Sequence, residues 1–206
     1  MTKIVFDFGG VLFRWQPERL LRELLPDRAT NAASAAFWAA QIFQSYGGDW
    51  GDFDRGTVEP PALGQRIAQR TGLTAAEVQR VVDAVPHELQ PQPDMVALLR
   101  RLHAAGHWLY FLSNMPAPYA DFLQTTHDFM ALFRDGVFSG RVHHNKPEAA
   151  IFELAAARFG AEPASLFFID DHAPNVQAAQ KLGWQGLLFS SAAQAEDALR
   201  ARALLQ

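Results

Sequence analysis

Cysteine is absent from this 206-residue chain, which excludes disulfide staples, thiolate metal sites and a cysteine nucleophile. Nor does any apolar run approach the ~20 residues that cross a bilayer, and Lys3 followed by a short strand does not make a secretory leader. Basic residues are in the minority: 18 Lys and Arg against 22 Asp and Glu give a formal net charge of −4. Binding nucleic acid or an acidic membrane by counterion release needs a clustered basic surface, and the longest basic run is Arg100-Arg101. Internal repeats and low-complexity tracts are missing, and the seven His residues have no spacing that suggests zinc. What is present is a chain that is 49% hydrophobic and 19% charged, enough for one domain with an insertion or for two small domains. These absences predict a cytoplasmic enzyme or binding protein, monomeric or homodimeric, without a nucleic-acid or membrane partner.

Two textures alternate along the sequence. From Gly106 onward, short apolar runs (Trp108 to Leu112, Leu166 to Ile169, Gly186 to Phe189) alternate with helical patterns (Ala149 to Phe159, Val176 to Leu182, Ala192 to Leu205). That rhythm predicts an α/β fold, a parallel sheet with helices on its faces. Between Phe13 and about Gln90 no strand pattern appears. Helices are expected over Pro17 to Leu25, Asn31 to Gln44, Pro61 to Thr71 and Thr74 to Val85, each opened by a cap residue or a proline, with Thr74 and Glu77 forming a capping box. Pro86, Pro91 and Pro93 mark the return to the sheet, ahead of an amphipathic helix from about Asp94 to Ala105. Phe37 and Trp38 read as core of the helical region, and Phe167-Phe168 as buried strand.

The chemistry lies at the ends of the apolar runs. Ile4-Val5-Phe6 stops on Asp7 and opens into Gly9-Gly10, presenting a carboxylate at the carboxyl edge of a parallel sheet, where open α/β folds bind ligands. The run ending at Leu112 is followed by Ser113-Asn114, and the one ending at Ile169 by Asp170-Asp171, with Asn175 shortly after. A lone Lys146 precedes Pro147, which can occupy the first turn of a helix. Singly, each is an ordinary turn residue, cap or solvated charge. A doubly wound sheet brings them to one edge. Three carboxylates there repel unless a divalent cation or a fixed lysine neutralises them, and all-oxygen ligation suits Mg²⁺. A carboxylate, a hydroxyl, an ammonium and a metal site together match the needs of phosphoryl transfer.

At these residues the chain resembles the haloacid dehalogenase superfamily, in its branch with a helical cap after the first strand. Asp7-Phe8-Gly9-Gly10-Val11, Leu112-Ser113-Asn114, Lys146-Pro147 and Ile169-Asp170-Asp171 with Asn175 match the four family motifs in order. The resemblance implies a Rossmann-like, doubly wound core over residues 1–13 and 91–206, with a helical cap over 14–90. It gives Asp7 the role of nucleophile, forming an aspartyl-phosphate. Ser113 would hydrogen-bond the phosphoryl oxygens, with Asn114 contributing to that pocket, and Lys146 would balance the negative charge. Mg²⁺ would be held by Asp7, by Asp170, by Asp171 directly or through water, and by the backbone carbonyl of Gly9. The substrate implied is a small phosphorylated metabolite.

One departure bears on mechanism. Most phosphatases of the family carry a second Asp two residues after the nucleophile, as general acid and base; here that residue is Gly9. Such help is worth about 10²–10⁴ in rate, so the chain is expected to favour leaving groups that need little protonation. Sugar 1-phosphates fit, and the Asp-x-Gly pattern is similar to that of bacterial glucose-1-phosphate phosphatases. His172, His143 and His144 are alternative acids, solvated loop histidines otherwise. Arg14 and Arg55 are candidate substrate-binding side chains, Arg55-Gly56 resembling a recurring cap turn. The Gly-rich stretch from Tyr46 to Gly56 reads as a loop whose Trp50 and Phe53 either line the pocket or pack into the cap's own core. Two rival readings stay open: a metal-independent 2-haloacid dehalogenase, against which Asp170-Asp171 argues, and a catalytically weak protein that binds a ligand, which Gly9 supports.

Overall fold

The computed structural model describes residues 2–205. Its five strands are β1 (Lys3–Phe6), β2 (Leu109–Ser113), β3 (Asp135–Phe138), β4 (Leu166–Asp170) and β5 (Gln185–Leu188). All pair in parallel, in the order β3-β2-β1-β4-β5. β1, β2 and β4 are buried from end to end, because helices cover both faces; that is why they read as unbroken apolar runs and not as alternating ones.

The helices after β1 are α1 (Pro17–Leu24), α2 (Ala32–Phe43), α3 (Gly48–Asp54), α4 (Pro60–Thr71) and α5 (Ala75–Glu88); α6 (Pro93–Ala104), α7 (Ala117–Thr126), α8 (Ser139–Val142), α9 (Ala149–Arg158), α10 (Ala173–Lys181) and α11 (Ala192–Arg200) follow. Side chains of opposite parity on the strands enter two clusters. Ile4, Phe6, Phe111 and Ile169 pack with α6, α11 and the α1–α5 insertion, whereas Val5, Tyr110, Leu112 and Phe168 pack with α9 and α10.

Local signals place most elements. Asn31 caps α2 through Ser34, and Thr74 and Glu77 form the expected capping box on α5. Pro86, however, lies inside α5, which runs on to Glu88. A proline there has no N–H for the carbonyl of Val82 one turn earlier, and the Tyr119 hydroxyl of α7 donates to that carbonyl instead, at 2.6 Å. Pro147 stands outside α9, just before its N-cap Glu148. Phe37 is not core: it is 54% exposed, with its ring edge-on to the half-buried Trp38.

The stretch from Tyr46 to Gly56 is largely helical. α3 draws two Gly and three Asp into seven residues, a composition with little helix propensity of its own. Its order comes from burial of Trp50 and Phe53 and from contacts to the sheet side. The insertion leaves and re-enters the sheet at one place: Phe13 bridges Pro91, Arg14 N–H donates to the Gln90 carbonyl (2.7 Å) and Gln92 N–H to that of Leu12 (2.8 Å).

Candidate active site

The strand order changes its direction of growth between β1 and β4, and the crevice at such a reversal is where open α/β sheets bind ligands. Asp7 follows β1 there, its N–H bonded to the Ile169 carbonyl at 2.9 Å, and Asp170 ends β4 beside it. Lys146, its side chain 1% exposed, sits between the two: Nζ is 2.8 Å from Asp7 Oδ1 and 2.7 Å from Asp170 Oδ2. Asp170 also accepts from the Asn175 amide (3.1 Å to each oxygen) and from His172 N–H (2.7 Å), and Asp7 from Phe8 N–H (2.7 Å). Buried charges persist when paired and hydrogen-bonded in this way.

Asp171 approaches from the solvent side over Gly10, whose φ is +78°; a Cβ on Gly10 would lie 2.1 Å from Asp171 Oδ2. Glycine suits that left-handed backbone, and a side chain there would also displace the Asp171 carboxylate. One carboxylate oxygen from each of Asp7, Asp170 and Asp171 lies within 4.8 Å of the others, and three hard oxygen donors beside a single lysine fit a divalent cation such as Mg²⁺.

Burial is the largest influence on the Asp7 carboxyl and, with Asp170 and Asp171, pushes its pKa above the ordinary range against the pull of Lys146. Burial works against the Lys146 ammonium, yet Asp170 and Asp7 outweigh it and hold its pKa above the usual value. Burial, then Asp170, raises Asp171 as well. A carboxylate cluster with raised pKa values favours a bound cation.

Above these groups opens a cavity of about 400 Å³ that Asp7, Gly9, Ser113, Asn114, Lys146 and Asp171 share as its floor. Its walls are Trp15, Tyr46, Trp50, Leu89, Met115 and Tyr119. Tyr46 is carried by three consecutive non-glycine residues with positive φ, Gln44, Ser45 and Tyr46, a strained run of the kind that collects at ligand sites. It donates or accepts nothing from the floor; its hydroxyl accepts from Trp15 Nε1 at 2.9 Å.

Asn114 faces the cavity with its amide engaged elsewhere, donating to the Lys146 carbonyl (2.9 Å) and accepting from Lys146 N–H (2.8 Å). Two expected substrate-binding residues are not at this cavity. Arg14 is exposed and lines a second cavity with Gly10, Gln92 and Asp94, which adjoins the first at Asp171. Arg55 is paired with Glu148, Nη1 to Oε2 at 2.9 Å, and fastens α3 to the sheet domain. His143 accompanies it, Nδ1 3.0 Å from the Arg55 carbonyl, and neither His143 nor His144 lines the cavity, whereas His172 does. Trp50 both lines the cavity and is buried at 3% exposure; Phe53 packs only into the core.

Sequence reasoning missed Asp54 and Tyr119. Asp54 is 5% exposed and lines the cavity. The available signal was its place four residues after Trp50, on the same helical face, while Asp49 and Asp52 pair outward with Arg70 and Arg66.

A match to the haloacid dehalogenase-like hydrolases covers residues 2–183. The chain is similar to a sesquiterpene phosphatase of Aspergillus oryzae, 31% identical over 184 residues, which are 89% of this chain and 87% of that one. Among solved structures it is similar to a haloacid dehalogenase family enzyme of Bacteroides thetaiotaomicron, with a TM-score of 0.73, 21% identity and 98% of each chain covered; that enzyme is also known in complex with magnesium and inorganic phosphate. An L-2-haloacid dehalogenase superposes with a TM-score of 0.67 at 21% identity, over 90% of this chain and 85% of that one, so likeness of fold alone does not separate the two chemistries. The extent of the sequence match does establish descent: the chain belongs to the haloacid dehalogenase-like hydrolase family.

Proposed function

We propose that this chain is a Mg²⁺-dependent phosphatase that hydrolyses a small phosphate monoester through an aspartyl-phosphate on Asp7. The observation that carries this reading is the buried Asp7–Lys146–Asp170 group with Asp171 at the mouth of the cavity. In this reading Asp7 attacks phosphorus in line with the leaving oxygen, Ser113 donates its hydroxyl to the phosphoryl group, and Lys146, held by Asn114, balances the charge of both. Asp7, Asp170, Asp171 and the Gly9 carbonyl would hold Mg²⁺, which when bound supplies positive charge against the phosphoryl oxygens. Residues 14–90 act as a helical cap over a core formed by 1–13 and 91–206. The paired carboxylates favour this chemistry over metal-independent attack on a haloacid, and the name of the Aspergillus relative supports it.

The cavity walls favour a substrate whose organic part is apolar. Trp15, Trp50, Leu89 and Met115 offer surface to hydrocarbon beside the more polar Ser45, Tyr46, Tyr119 and His172, and a terpenyl monophosphate is the class we favour. A sugar 1-phosphate is the second reading, supported by the missing side chain at Gly9. Phosphate release with Mg²⁺ from farnesyl phosphate, glucose 1-phosphate and glucose 6-phosphate, alongside halide release from a 2-haloacid, tests the set. Turnover of farnesyl phosphate above both sugars is expected. Preference for glucose 1-phosphate would select the second reading, preference for the 6-phosphate would sink both, and metal-free halide release or no turnover at all would overturn the phosphatase.

A further inference from the structure

Resting on the phosphatase reading, we infer that Asp54, delivered by the helical insertion, is the proton donor to the leaving oxygen and the base for the water that follows. A phosphate ester whose alkoxide departs unassisted is slow to break, and the floor groups are committed elsewhere: Lys146 is paired to two carboxylates, Asp7 is assigned to phosphorus and Asp171 to the metal, and Gly9 has no side chain. Asp54 lines the same cavity at 5% exposure. Among the described residues no group hydrogen-bonds its carboxylate oxygens, and burial foremost, with Lys146 opposing and Asp7 adding, pushes its pKa up to about 8, a direction that favours the protonated acid.

Its backbone is fixed from the sheet side. Ser139 Oγ, wholly buried, donates to the Asp54 carbonyl at 2.6 Å and accepts from Met115 N–H at 2.8 Å. Asn145 Nδ2 donates to the Gly51 carbonyl at 2.8 Å, and Gly56, at φ +74°, lies so close to Gly140 that a Cβ would stand 2.4 Å from its carbonyl oxygen. Four contacts thus hold one turn of an intrinsically weak helix against the core, with Arg55–Glu148 as the outermost.

The step balances. Asp7 Oδ forms a bond to phosphorus as the ester P–O bond breaks, and the Asp54 proton passes to the departing alkoxide. The Asp54 carboxylate then takes a proton from water, whose oxygen attacks the aspartyl-phosphate, releasing inorganic phosphate and the Asp7 carboxylate.

The test compares Asp54→Asn with the wild-type, Mg²⁺-loaded protein on two substrates: benzyl phosphate, whose alkoxide needs a proton, and p-nitrophenyl phosphate, whose phenolate does not. We expect kcat on benzyl phosphate to fall about 10²–10⁴-fold and kcat on p-nitrophenyl phosphate to fall less than about tenfold. Equal losses on both, no loss on benzyl phosphate, or the same leaving-group bias from His172→Gln in place of Asp54→Asn, overturns the assignment. Wild-type protein inactive on both overturns the phosphatase reading itself, a distinguishable failure. Should Asp54→Asn not fold, Ser139→Ala keeps the carboxyl but releases its backbone, and the same bias in smaller measure is expected; an unbiased loss counts against Asp54.

Discussion

The floor and the walls of the cavity are built on opposite physical terms. The floor is charged and saturated: Asp170 accepts from Lys146, Asn175 and His172 N–H, Asp7 from Lys146 and Phe8 N–H, and each group is held by strands buried on both faces. The walls are mostly apolar, come largely from the α1–α5 helices, and contain one carboxyl, Asp54, whose oxygens have no hydrogen-bonding partner among the described residues. Saturation makes the floor rigid and generic, a place for a phosphoryl group. Asp54, buried but open to the cavity, is the proposed proton carrier, and the walls are proposed to choose the organic group.

The largest effect that tests this contrast is loss of the nucleophile. Asp7→Asn keeps the shape of the floor, and Mg²⁺-dependent phosphate release should fall about 10⁴-fold or more; turnover persisting at the wild-type rate would move the chemistry off the floor. Next is Lys146→Met, which leaves Asp7 and Asp170 buried without their cation. Urea unfolding of the metal-free variant should show a loss of roughly 3–5 kcal/mol, partly recovered with Mg²⁺, and an unchanged midpoint would mean the floor is not held by this pair.

The walls respond to pH. Burial pushes the Asp54 carboxyl from the ordinary 3.8 up to about 8, so between those values the folded state binds a proton that the unfolded state has released. Stability is therefore full below about pH 4 on this account and declines as pH rises through 8. The melting temperature of metal-free protein should drop by roughly 5 °C or more between pH 6 and 9, and the drop should shrink in Asp54→Asn; Asp7, raised by burial in the same direction, supplies what remains. A drop unchanged in the variant would assign it to the floor alone. The smallest effect is expected from Tyr119→Phe, which leaves the Val82 carbonyl above Pro86 without its donor and should cost about 1–3 kcal/mol by thermal unfolding.

Part of the floor was legible because some of its residues terminate a recognisable local pattern, whereas Lys146, alone before Pro147, ends none. Asp7, Ser113 and Asp170 all stand where an apolar run stops, and such a short run suits a parallel strand buried on both faces. Helix caps were equally local, as Asn31 and Thr74 show. β3 escaped notice because Asp-Gly-Val-Phe is short and its Gly136 has no side chain to contribute, the Phe111 ring filling that space. α3 looked like a loop because tertiary contacts override its propensity.

Arg55 illustrates the remaining difficulty. An arginine in a Gly-rich stretch is as suited to a phosphate as to a carboxylate, and only the proximity of Glu148, 93 residues later, decides between them. Asp49, Asp52 and Asp54 are likewise indistinguishable as letters; Arg70 and Arg66 claim the first two, and the third faces the cavity.

By itself the sequence determined the α/β architecture and most of the helices that follow the first strand, because periodicity, capping and strand termination act over a few residues. The tertiary structure alone decided that Lys146 is shared between two carboxylates, that Arg14 and Arg55 are not among the residues lining the cavity, and that Asp54 is buried in its wall. Those outcomes depend on which distant groups meet, and a charge acquires its pKa and its partner only from the surroundings that folding assembles.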